Sequence, residues 1–193
     1  MSELNIPAKS VLITGGCGGI GLGVAEAFAA AGKRVWLADK NTAGGQALQQ
    51  RFSDVRFIEV DLSDCKQIDE GLKPLLTGSD APEILVNGVG YSPKYAPSGD
   101  RWTTWTMPLD HWRQVHAINL DSIFYTTALA LPTMIERKYG RVINIISLVS
   151  RMSGGGVAPV HYVTAKTGLI DLTRATAHEV GQYGITVNGI NLG

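Results

Sequence analysis

The sequence has only two cysteines, Cys17 and Cys65, among 193 residues. They stand far apart, with no CxxC pair and no His/Cys cluster. That excludes a disulfide framework and a structural zinc site, and it points to a reducing compartment. Neither sign of charge is in surplus, since Lys plus Arg and Asp plus Glu each number 17. A chain so balanced lacks the basic footprint of a nucleic-acid binder or of a protein held on an anionic membrane. No apolar run reaches the roughly 18 residues that span a bilayer, and residues 1–9 are polar, contain Pro7 and have no apolar signal core. The expectation is a cytoplasmic protein with a small-molecule partner, and no nucleic acid or membrane.

What the chain does have is 45% hydrophobic and 18% charged residues, the balance of a globular α/β protein, in a length that suits one domain over 1–193. Short apolar runs alternate with longer helix-like stretches. Strands are expected at 10–14, 34–38, 55–60, 83–87, 141–146 and 185–190. Helices are expected at 19–31, at 42–52, from a cap at Ser63 to about residue 76, at 108–137 with a kink or break at Pro132, and at 161–183. Parallel strands with right-handed crossovers give an α/β doubly wound sheet, Rossmann-like, in the order 3-2-1-4-5-6 with helices on both faces. Such sheets bind ligands at the carboxyl ends of their strands. Thr14, Asp39, Asp61, Asn87 and Ser147 all fall at those ends. A loop at 88–107 is too long for a plain connection.

The stretch Thr14-Gly15-Gly16-Cys17-Gly18-Gly19-Ile20-Gly21 joins the first strand to the first helix. Glycines allow a tight turn, and the N–H groups of the new helix can face a pyrophosphate. Three spellings fit: Gly16-x-Gly18-x-x-Gly21, Gly15-x-x-Gly18-x-x-Gly21 and Gly15-x-x-x-Gly19-x-Gly21. Asp39 lies 18 residues beyond Gly21. A carboxylate there accepts from ribose hydroxyls and repels a 2′-phosphate, which favours NAD over NADP. Gly18 agrees, because the loop offers no cation to such a phosphate; Lys40 argues the other way.

Tyr162 and Lys166 are four residues apart on a helix and share one face. Lowering a tyrosine pKa from about 10 by about three units takes about 4 kcal/mol of preferential phenolate stabilisation. One cation about 4 Å away supplies about that much at an effective dielectric of about 20. The pair is sufficient for acid–base work on an alcohol or ketone.

Together these residues resemble the short-chain dehydrogenase/reductase family, over nearly the whole chain. Gly15, Gly19, Ile20 and Gly21 resemble its cofactor loop, with Cys17 and Gly18 inside it. Asp61-Leu62 resembles the pair whose Asp contacts the adenine. Asn87-Gly88-Val89-Gly90 resembles its Asn-Ala-Gly motif with two substitutions. Asn119, Ser147, Tyr162 and Lys166 resemble its catalytic tetrad. The resemblance implies hydride transfer between NAD(H) and a secondary alcohol or ketone. Tyr162 exchanges the proton, Lys166 lowers its pKa and binds the nicotinamide ribose, Ser147 holds the substrate oxygen, and Asn119 holds a water of the proton relay. It also implies a homodimer or homotetramer, through the helix that includes 120–135 and the Tyr162 helix.

Three features depart from the family. Ser147 precedes Tyr162 by 15 residues, slightly more than usual; the extra residues fit a bulge within 153–160, and Ser150 is the other candidate serine. Leu192 replaces a proline. The family's substrate-covering loop and seventh strand are absent before Gly193, so an open site with weak or no activity is expected. A catalytically silent dinucleotide-binding module and a sugar-nucleotide epimerase or dehydratase are the rival readings. His111, His116, His161 and His178 are expected to be surface or packing residues. Trp102, Trp105 and Trp112 either line a substrate pocket or anchor the long loop. Cys17 lies near a helix N-terminus, where thiolates are stabilised.

Overall fold

Six parallel strands form one sheet in the order β3-β2-β1-β4-β5-β6: β1 (Ser10–Thr14), β2 (Arg34–Asp39), β3 (Val55–Glu59), β4 (Ile84–Asn87), β5 (Gly140–Ser147) and β6 (Ile185–Leu192). This is a computed structural model, and it describes residues 7–151 and 158–192. The expected order is the observed one. The helices are α1 (Gly19–Ala30), α2 (Thr42–Arg51), α3 (Cys65–Gly71), α4 (Lys73–Thr77), α5 (Leu109–His116), α6 (Ser122–Arg137) and α7 (Val160–Val180).

A parallel sheet buries both faces, so its strands are apolar on both sides. Val11 and Ile13 of β1, with Val35 and Leu37 of β2, enter one core together with Ala25 and Leu48. Leu12 and Trp36, which alternate with them, enter the other core with Ile68, Leu72, Leu76, Ala130 and Met134. A smaller cluster of Ile123, Ile146 and Leu169 joins β5 to α6 and α7. The register puts Thr14 level with Ala38 and Asn87, and Asn87 level with Asn144. The carboxyl ends of the central strands therefore open on one rim.

Two local expectations are corrected. The helix after β3 is capped by Asp64, not Ser63: an Asp64 carboxylate oxygen accepts from Lys66 N–H at 2.9 Å, while Ser63 turns back to Asp61. Asp64 sits in the extended region that an N-cap needs, one residue before the first helical turn. The stretch 108–137 does not break at Pro132, which lies inside α6. Pro132 and Ala128 are both exposed, so the carbonyl that loses its N–H partner faces water, while Ile123, Thr126, Ala130 and Met134 are buried. The departure from α-geometry comes earlier, as a π-helical turn at Ala117–Asp121 that carries Asn119.

The long connection after β4 is partly ordered. Tyr95 and Arg101 bridge antiparallel, Trp102 N–H donates to Lys94 O at 3.2 Å, and Ala96 N–H donates to Asp100 O at 2.8 Å. Among the described residues, no helix is long and apolar enough to cross a membrane.

Candidate active site

The glycine turn is shaped by contacts with its own surroundings. Gly15 has φ of 66°, and a Cβ there would lie 2.6 Å from Val89 Cα. A Cβ on Gly21 would collide with the Gly15 carbonyl, so this glycine lets α1 pack on the turn. Gly19 differs: a Cβ would meet nothing within 4 Å, and the residue borders open space. Helix α1 has no capping side chain and no acidic residue in its first turn. Its leading N–H groups and positive dipole end are therefore left to a ligand, and the cradle fits a pyrophosphate.

That space is a cavity of about 600 Å³ along the rim of the sheet. Gly15, Cys17, Gly18, Gly19, Ile20 and Gly21 wall its centre. Asp39, Lys40, Asn41, Asp61, Leu62 and Ser63 wall one end. Val60, Gly88 to Ser92, Ile118, Ile145, Ile146, Ser147, Tyr162, Lys166 and Leu192 complete the lining. Of the residues matched to the family's cofactor loop, adenine pair, Asn-Ala-Gly motif and tetrad, Asn87 and Asn119 lie off the wall.

At one end, Asp39 grips the glycine loop. One carboxylate oxygen accepts from Cys17 N–H at 3.0 Å and the other from Asn41 N–H at 3.1 Å. Each oxygen keeps a lone pair for a ribose hydroxyl. Burial, and then the Asp39 charge, push the Cys17 thiol up to about 11. This reverses the expected thiolate stabilisation: desolvation and a nearby anion outweigh the helix dipole. Asp61 accepts from both the N–H and the hydroxyl of Ser63, at 2.9 and 2.7 Å, and these bonds hold its carboxyl below the usual range.

Asn87 is fully buried. Its amide donates to Thr127 Oγ1 at 3.1 Å and Asn144 Oδ1 at 2.9 Å, and its oxygen accepts from Thr126 at 2.9 Å. It joins β4 to β5 and α6, and the neighbouring Gly88 faces the cavity in its place. Asn119 is also buried. Its amide donates to Tyr91 O and Val115 O, both at 2.8 Å, and its oxygen accepts from Tyr91 N–H at 3.1 Å.

Lys166 is 2% exposed. Its ammonium donates to Ile145 O at 2.9 Å and Val89 O at 3.3 Å. Burial lowers its pKa to about 8, so at pH 7 it still carries most of its charge. Tyr162 stands one turn before it, at the start of α7, and Ser147 ends β5; both reach the cavity. Ser150 Oγ instead donates to Ser147 O at 2.6 Å, off the lining. The bulge expected within 153–160 falls largely on 152–157, outside the described residues.

Trp102 packs on His111 and Trp112 stacks on His116, with ring centroids 4.7 and 4.2 Å apart, while Trp105 is 84% exposed. None of the three lines the cavity, so Trp102 and Trp112 act as anchors. His161 is fully buried, whereas His178 is exposed. Sequence reasoning passed over Asn41, Val60, Ser92, Ile118, Ile145 and Ile146. All but Ser92 and Ile118 lie at or beside a strand end, which is the signal that marks them.

The sequence profile described as short chain dehydrogenase matches residues 9–193. D-beta-hydroxybutyrate dehydrogenase of Cupriavidus necator is 33% identical over 186 residues, which cover 94% of this chain and 69% of that protein. The 3-oxoacyl-(acyl-carrier-protein) reductase FabG of Escherichia coli is 30% identical over 186 residues, covering 96% of this chain and 72% of that protein. A Brucella melitensis 3-oxoacyl-(acyl-carrier protein) reductase, solved with bound NAD, superposes with TM-score 0.80 at 30% identity, over 94% of this chain and 69% of that one. A short chain dehydrogenase from Leptospira borgpetersenii, solved with bound NAD+, gives 0.82 at 25% identity, over 95% and 70%.

Proposed function

The chain belongs to the short chain dehydrogenase family, and we propose that it transfers a hydride between NAD(H) and a secondary alcohol or ketone of a small to medium organic substrate. The observation that carries this reading is the buried Lys166 ammonium on the carbonyls of Val89 and Ile145, one helical turn from Tyr162, in the cavity that begins at the glycine loop. When bound, the nicotinamide supplies the hydride acceptor or donor. The chain's own residues bind, orient and move a proton.

Tyr162 gives its proton to the substrate oxygen on reduction and takes it back on oxidation. The Lys166 charge stabilises the phenolate between those steps and holds the nicotinamide ribose. Ser147 hydrogen-bonds the same substrate oxygen. Asn119 fixes the cavity wall at Tyr91 through its amide and holds a water of the proton relay. The N–H groups of Gly19, Ile20 and Gly21 receive the pyrophosphate. Asp39 accepts from the adenosine ribose and disfavours a 2′-phosphate, which supports NAD over NADP. Asp61 and Leu62 border the adenine. A cytoplasmic location and a homodimer built on α6 and α7 complete the proposal, with Phe124 (56% exposed on α6) at the contact.

The test is a titration with NAD and NADP, followed by a panel of secondary alcohols and ketones with absorbance of the reduced cofactor as the readout. NAD should bind more tightly, and at least one substrate class should turn over. The Tyr162→Phe variant should bind NAD as well as wild type and lose at least about 100-fold in kcat. Turnover that survives this substitution, or tighter binding of NADP, overturns the corresponding part of the reading.

A further inference from the structure

Where α5 meets α7, three tilted rings pack in a partly buried row that the roles above do not use. His161 of α7 lies 5.1 Å from His111 of α5, centroid to centroid, with the planes at 58°; His111 lies 4.7 Å from Trp102. Both ring nitrogens of His161, Nε2 of His111 and Nε1 of Trp102 are buried without a hydrogen-bond partner. Phenylalanines would fill the same space with no polar atom to desolvate, so the imidazoles bring a hydrogen-bonding capacity.

The separation of the two rings suits a bond between them. Two imidazoles joined by an N–H···N bond of about 2.9 Å have centroids about 5 Å apart. Turning an imidazole by half a turn about Cβ–Cγ keeps its shape while exchanging the places of nitrogen and carbon, so the orientation that makes the bond fills the same space. A neutral pair has an N–H for one ring and a lone pair for the other.

We propose that His111 and His161 form this imidazole–imidazole bond and that it makes His161 a positioning residue for Tyr162. The stack runs from the first turn of α7, through α5, to Trp102. Trp102 is backbone-paired with Lys94, close to the cavity residues Tyr91 and Ser92. One bond thus sets the turn that carries Tyr162 against the wall that faces it. The contact between Thr164 Oγ1 and His116 Nε2, at 3.2 Å, ties the same two helices from the exposed side.

The proposal rests on the reading of Tyr162 as the proton-exchanging group, and its test separates the two. In protein labelled with 15N-histidine, NMR should show one imidazole N–H that exchanges slowly with solvent, absent from both His111→Phe and His161→Phe. The His161→Phe variant should bind NAD within about twofold of wild type, keep its substrate KM within about threefold and lose about tenfold in kcat. The His161→Gln variant, which can both donate and accept, should recover most of that loss. A missing protected N–H, or an unchanged kcat in His161→Phe, overturns the proposal. If wild type turns over no substrate, the reading of Tyr162 fails, and the NMR result still decides the pair.

Discussion

Asn119 holds Tyr91 by both of its backbone groups, donating to its carbonyl at 2.8 Å and accepting from its N–H at 3.1 Å. A side-chain amide carries a donor and an acceptor side by side, so one residue satisfies both groups. It reaches Tyr91 from the π-helical turn between α5 and α6, which fixes a wall of the cavity from behind.

The Asn119→Ala variant therefore leaves a part-buried N–H and two carbonyls without this partner. The expected loss is about 2–3 kcal/mol of stability, with reduced turnover. Asn119→Asp should fare no better at neutral pH, because its second oxygen would face the carbonyls of Tyr91 and Val115. Urea denaturation of the two variants at pH 7 checks the order.

In the proposed reaction Lys166 sets activity against stability. Its pKa is about 8 in the folded chain and about 10.5 when unfolded, so the unfolded chain binds more protons between these values. Stability from this group thus rises as pH climbs from about 8 to 10.5, and below 8 the full cost of burying the charge is present. Lys166→Met should abolish hydride transfer. At pH 7 it should also raise stability, by less than about 3 kcal/mol, because the carbonyls of Val89 and Ile145 lose a donor. Thermal melts read with activity assays test both halves.

His161 gives an acid limit. Burial, then the neighbouring His111 and His116, lower its pKa to about 4. Between about 6.5 and 4 the unfolded chain takes up a proton that the folded chain refuses, so stability falls as pH falls through that window, by at most about 3 kcal/mol. His161→Phe should remove this share of the acid sensitivity. Denaturant midpoints at pH 7 and pH 5 for both proteins measure it.

Asp39 carries the proposed cofactor choice. Removing its carboxylate frees the N–H groups of Cys17 and Asn41 and, on that reading, deletes the acceptor for the ribose. Asp39→Ala should weaken NAD binding by about 10- to 100-fold and narrow the gap to NADP. Competitive titration with the two cofactors decides this.

The strand order, the glycine turn and the gathering of Asp39, Ser147, Tyr162 and Lys166 on one cavity were legible in the sequence, because each rests on local periodicity or on a fixed spacing next to a strand end. The sites of failure are those where distant segments compete for the same group. Asn87 stands at a strand end like Ser147, yet Thr126, Thr127 and Asn144 take its whole amide, and no spacing announces that. Pro132 has the chemistry of a helix breaker, but its face is solvated and its helix is held by packing. Cys17 sits at a helix start, where a thiolate gains, yet burial and the Asp39 charge win. His161 follows no motif, and only the docking of α5 and the Trp102 segment onto α7 makes it a buried partner. The sequence by itself determined which elements form and which residue types reach the rim. The tertiary structure decided which of those residues face the cavity and which are spent on holding it, because burial and hydrogen-bond competition depend on contacts between parts of the chain far apart in sequence.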